Sequence, residues 1–247
     1  MKGFRLRILL TILLGLLLFS TSVEARRLLF VSERNTDNIV RDLASEFNLK
    51  VSELMPLVKN LEAISNKEDF YYYLERIRKL SKNDRYTLIE FLKCLSTLKD
   101  REKADLVFAL IESMHRLRAS SYCLNSVLKD ICDLPTELKD IKQGFETLLG
   151  MLIEITRIDP KEKDVQPDAY DFLRRFKEEV IAENWIKYPY LRNNFVFVIT
   201  KVTQIMTERG ERFSWDAFSQ INIFLNRAGG DLKETERLIK EYYAEIK

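Results

Sequence analysis

The chain has 247 residues, 46% of them hydrophobic and 32% charged, with a formal net charge of +2. Only seven glycines, five prolines and three cysteines occur, and a disulfide-stapled small fold would be far richer in cysteine. The near balance of charge gives no overall basic surface for nucleic acid or an anionic membrane.

The N-terminus reads as an export signal. Lys2, Arg5 and Arg7 form a basic head, Ile8 to Phe19 an apolar core, and Ser20-Thr21-Ser22-Val23-Glu24-Ala25 a small-residue cleavage region. Cleavage is expected after Ala25. The alternative is an uncleaved single-pass anchor through residues 8–23, although those 16 residues fall short of the roughly 20 that a span needs. The expected location is therefore secreted, periplasmic or extracellular. The leader holds three bases and Glu24, so residues 26–247 hold 37 bases and 37 acids. No Asn-x-Ser/Thr acceptor occurs.

Beyond the leader, apolar residues recur three and four apart, the helix period. Ile39, Leu43, Ala44 and Phe47 form the first stripe, with Thr36 or Asp37 as its cap. Val51, Leu54, Met55, Val58 and Leu61 form the second, with Pro56 near its first turns. Later stripes begin at Phe70, Leu88 and Leu106, separated by the polar turns Ser81–Asp84 and Lys99–Arg101. Helices joined so closely must fold back on one another. Tyr122 to Leu134 predicts a short helix, and Pro135 opens a longer one through Ile155. Residues 159–168 are polar and broken by Pro160 and Pro167, and read as a linker. Phe195 to Ile199 is rich in strand formers, but Val202, Ile205 and Met206 restore the helix period, which predicts a buried helix. Ser214 caps the next helix. Gly229-Gly230 stops it, and Asp231 with Glu234 predicts a capping box for the last.

The expected fold is an all-α, multi-helix bundle of about nine or ten helices. Residues 1–25 are the signal, 26–158 an N-terminal helical bundle, 159–168 the linker and 169–247 a C-terminal helical subdomain packed on it. The segment Ile39–Leu54, with Asn48 at its turn, resembles the helix–turn–helix heart of DNA-binding and LysM glycan-binding modules. Neutral charge and export oppose DNA binding. Residues 55–65 continue as helix where a LysM module needs a strand, so packing of a helix pair is the expectation.

Motifs for chemistry are sparse. His115 is the single histidine, and Glu112 with His115 forms only half of a helical di-iron pattern. No Cys-x-x-Cys, nucleophile elbow or phosphate loop occurs. No catalytic, cofactor-binding or metal-ligating residue is assigned, and no cofactor is expected. Among Cys94, Cys123 and Cys132, one thiol must stay free or pair between chains, and any of the three pairings is open. On one straight helix, Cys123 and Cys132 would stand about 13.5 Å apart, beyond disulfide reach.

Aromatic residues supply the remaining signal. Phe70-Tyr71-Tyr72-Tyr73 covers every face of its helix, and Trp185, Tyr188 and Trp215 enrich the C-terminal third. Tyr71, Tyr72, Trp185, Tyr188 and Trp215 are the residues expected at an apolar-ligand or partner surface. The reading is an exported, non-enzymatic helical protein that acts by binding or protein–protein interaction, with an unknown protein partner or apolar ligand. A carrier of a lipid or other apolar molecule, and a hydrolase using paired carboxylates, are the alternatives.

Overall fold

A computed structural model describes residues 35–157, 166–182, 188–210 and 214–245. The signal at 1–25, most of the linker and Trp185 lie outside them. Among the described residues the fold is all-α, with twelve α-helices and no strand. They are α1 (Thr36–Glu46), α2 (Val51–Ile64), α3 (Lys67–Ser81), α4 (Arg85–Ser96), α5 (Arg101–Arg116) and α6 (Ser121–Cys132). After these come α7 (Thr136–Asp140), α8 (Lys142–Arg157), α9 (Gln166–Arg175), α10 (Phe195–Arg209), α11 (Trp215–Arg227) and α12 (Leu232–Glu245). A π-helical turn, Phe176–Ala182, continues α9. The count exceeds nine or ten partly because the stripe after Pro135 is broken at Ile141, whose ψ of 85° ends α7 before α8 begins.

The helix ends follow local chemistry. Asn35 is the cap of α1, accepting from the Asp37 amide at 3.2 Å, in place of Thr36 or Asp37. Asn48 takes φ 51° at the turn before α2, a left-handed conformation that asparagine tolerates. Lys82 and Asn83 take the same conformation in the α3–α4 turn, and Asp84 then caps α4. Ser214 caps α11 through the Ala217 amide at 3.2 Å. Asp231 accepts from the Lys233 and Glu234 amides, but the return half of the box is missing. The Asp231 amide bonds Ala228 O, and Glu234 is drawn to Arg237. Phe195–Arg209 is one helix, as its restored period requires.

The chain divides into two compact units between Lys59 and Asn60. In the first, Val40, Leu43 and Ala44 are buried on the inner face of α1. In the second, α3 packs on α4 and α5, α4 on α6, α5 on α8, and α6 on α9. The α8 helix also packs on α10, and α10, α11 and α12 follow as successive neighbours. A side chain at Gly144 would meet the Phe195 ring at 3.0 Å, so this glycine lets α8 and α10 approach closely. Phe91, Phe108, Phe145, Phe176, Phe195 and Phe218 are fully buried. Each such ring contributes about 1.5–3 kcal/mol through burial.

Candidate functional site

Three helices raise a groove of about 750 Å³ on the second unit. The first turns of α4 supply Asp84, Tyr86 and Glu90. One face of α6 supplies Tyr122, Asn125, Ser126, Lys129 and Asp130, and Asp133 follows at its end. The α9 helix and its π-helical continuation supply Tyr170 and Lys177. Helix starts put aromatic rings outside the buried stripe. Tyr86 precedes Leu88, and Tyr122 precedes Leu124, where each stripe begins. Both rings therefore face solvent, 56% and 71% exposed. Tyr122 and Tyr170 meet edge-on at 6.5 Å.

The groove's polar groups are held in place. Thr87 donates its hydroxyl to Asp84 Oδ2 at 2.6 Å, and the Asn125 side-chain amide lies 2.7 Å from the same hydroxyl, joining α4 to α6. Burial would raise the Asp84 carboxyl, but hydrogen bonds from Thr87 and the Tyr86 amide hold it below its usual value. Lys177 donates to Asp130 at 3.2 Å and to Asp133 at 3.3 Å. The π turn, which starts at Phe176, carries Lys177 toward both carboxylates. Burial alone would lower this ammonium, yet Asp130 and Asp133 keep it above the ordinary lysine value. The Asp130 carboxyl moves the other way: burial raises it, and the attraction of Lys177 does not cancel that. Asp130 Oδ2 is buried with no hydrogen-bond partner. An unpartnered buried carboxylate oxygen is costly.

The residues expected at a ligand surface are dispersed. Tyr71 is half-buried against Phe70, their ring centres 5.4 Å apart. Tyr72 donates its hydroxyl to Asp105 at 2.6 Å and lies under the Arg101 guanidinium, 4.5 Å away. Trp215 donates to Glu179 at 3.1 Å, stacks on Phe218 at 5.1 Å and meets Phe172 edge-on. It joins the Phe172–Phe176–Phe195 packing of the C-terminal core. Tyr188 is half-buried. None of these lines the groove.

The Glu112–His115 pair does not converge. Glu112 pairs with Arg76 at 2.9 Å, while His115 Nε2–H donates to Leu80 O at 2.7 Å. Burial, which disfavours the charged ring, lowers the His115 pKa below 6.5. Cys123 and Cys132 stand at opposite ends of the single helix α6, which leaves them out of disulfide reach. Cys132 instead lies beside Cys94 of α4: Lys139 donates to Cys132 O and to Thr97 Oγ1, and Thr97 Oγ1 donates to Cys94 O.

No family model, no curated protein and no solved structure matches the chain.

Proposed function

We propose that this is an exported, non-enzymatic binding protein, and that it binds a cationic partner in the α4–α6–α9 groove. The observation that carries this reading is the solvent-facing Tyr122 ring in one groove with the partnerless buried oxygen of Asp130; Tyr86 already carries a cation, the Arg85 guanidinium 4.6 Å from its ring. Tyrosine faces attract ammonium and guanidinium groups. Four carboxylates, of Asp84, Glu90, Asp130 and Asp133, outnumber the ammonium groups of Lys129 and Lys177 around the opening. A lysine-bearing peptide segment fits that chemistry: its ammonium satisfies Asp130, and its methylenes lie along Tyr122 and Tyr170.

Calorimetric titration with a tri-lysine peptide tests the reading, with a tri-glutamate peptide as control. The lysine peptide should bind, and raising the salt from 0.1 M to about 1 M, where the screening length falls to roughly 3 Å, should weaken it. Tyr122→Ala should weaken binding about two- to fivefold, the value of an exposed cation–π contact. Asp130→Asn should weaken it about tenfold or more, as for a lost hydrogen bond to a charged group. Equal affinity for the two peptides would contradict the reading.

A second reading is favoured by one observation. Asp130 is held high and Asp84 low within one groove, the kind of split that acid–base carboxylate pairs use. Release of reducing ends from soluble oligosaccharides, lost in both Asp130→Asn and Asp84→Asn, would establish a hydrolase. Absence of any release would contradict the hydrolase reading. An apolar carrier has weaker support, because the mainly apolar groove along Thr147, Gly150, Met151 and Thr203 is open rather than enclosed.

Export rests on the leader. Intact mass of the protein recovered from outside the cytosol should match residues 26–247, and a full-length mass there would favour the anchor.

A further inference from the structure

Behind the groove lies a second cluster that the binding reading leaves unused. Cys94, in the last turn of α4, is fully buried, and Cys132, the last residue of α6, is half-buried. The two thiols act on one another directly, and the Thr97 hydroxyl, bonded to Cys94 O at 2.8 Å, stands between them and Lys139. Lys139 of α7 comes in from the side, only 7% exposed. Its ammonium donates to Cys132 O at 2.5 Å and to Thr97 Oγ1 at 3.2 Å, both neutral acceptors. Lys103, also buried, donates to Lys139 O at 2.5 Å and so fixes the segment that carries this charge. A buried ammonium bonded only to neutral oxygens is costly, and a neighbouring thiolate compensates it.

We infer that Cys94 and Cys132 are a reactive dithiol that closes to a disulfide on meeting a small-molecule or protein disulfide, with Cys132 attacking and Cys94 resolving. The Cys132 thiolate attacks one sulfur of the oxidant, and the oxidant's S–S bond breaks to release one thiolate. A mixed disulfide remains on Cys132. Cys94, its proton passing to solvent, then attacks Cys132 Sγ and expels the second thiol. Two protein thiols are oxidised and one external disulfide is reduced to two thiols.

The arrangement divides the two roles. The contact with Cys94 and then the Lys139 charge lower the Cys132 thiol, against the opposing effects of burial and the Asp133 carboxylate. The same contact with Cys132, and then burial, raise Cys94 well above the usual thiol value. The first attack therefore belongs to the accessible, more acidic sulfur, and the buried one acts only within the protein. Closure ties together the ends of the two helices that carry Tyr86 and Tyr122. Asp130 and Asp133 flank one of its sulfurs in sequence, and Glu90 stands one turn before the other.

The test uses the full chain carrying Cys123→Ser, so that only this pair can react, incubated at neutral pH with oxidised glutathione and read by intact mass. The parent should lose two hydrogens and keep no adduct, and peptide mapping should find Cys94 joined to Cys132. Adding Cys94→Ser should trap one glutathione on Cys132. Adding Cys132→Ser should slow adduct formation at least about tenfold, because burial shields Cys94. That difference should vanish in urea, where burial is lost. Lys139→Gln should move the pH midpoint of the trapped reaction upward, which a purely structural lysine would not do. Two stable adducts on the parent, two persistently free thiols, or equal trapping rates in the two serine variants under native conditions would overturn the inference.

Discussion

His115 shows how one side chain can be conspicuous in sequence and structural in place. It is the only histidine, and its ring N–H is spent on the Leu80 carbonyl at the end of α3. Burial lowers its pKa, so the folded chain binds this proton less readily than the unfolded chain does. Stability should therefore fall as the pH drops through the unfolded value of 6.5, with the full loss reached below the lower folded value. His115→Gln keeps a donor for Leu80 and removes the titration. Melting curves at pH 7.5 and pH 5 should show a smaller drop for the glutamine variant. Identical drops would mean that His115 does not contribute. Glu112 lowers the size of this effect, since its charge favours the protonated ring, whereas Lys82 increases it.

At the scale of elements, two glycines illustrate opposite demands. Gly150 lies inside α8 with nothing within 4 Å of where a side chain would stand. Gly150→Ala should stabilise by about 0.5–1 kcal/mol, the helix-propensity difference. Gly230 holds φ +85° in the turn before α12, and a side chain there would meet the Tyr190 ring at 2.7 Å. Gly230→Ala should destabilise by roughly 1–3 kcal/mol, the cost of a strained backbone position. Denaturant titration of the two variants separates these signs, and a shift in the same direction for both would contradict the account. Elements of this kind were largely legible from residue spacing. The period around Val202 and Met206 was enough to make Phe195–Arg209 a helix despite its strand-forming start. The break at Ile141 was not legible, because Leu138 and Phe145 keep the stripe continuous across it and only the backbone angle ends the helix. The groove was hidden for a related reason. Its tyrosines come from three helices distant in sequence, and clustering along the chain pointed to Tyr72 and Trp215, which the structure uses for packing and internal hydrogen bonds. One local signal was available: Tyr86 and Tyr122 sit at helix starts, off the apolar stripes.

At the scale of the molecule, a helical scaffold positions two sites that share α4 and α6. The outer one presents tyrosines and carboxylates to solvent, and the inner one pairs two thiols beside a buried lysine. Because the same helices carry both, closing the Cys94–Cys132 disulfide should stiffen the wall of the groove more than it alters the distant α10–α12 helices. Binding of a cationic partner in the groove remains a proposal with a site-resolved readout. Backbone amide chemical shifts of the full chain, followed during titration with tri-lysine, test it most directly. Shifts should concentrate at Tyr86, Tyr122, Asp130, Tyr170 and Lys177, shrink in Tyr122→Ala and vanish in high salt. Shifts scattered over the surface, or centred on Tyr71, Tyr188 and Trp215, would contradict it.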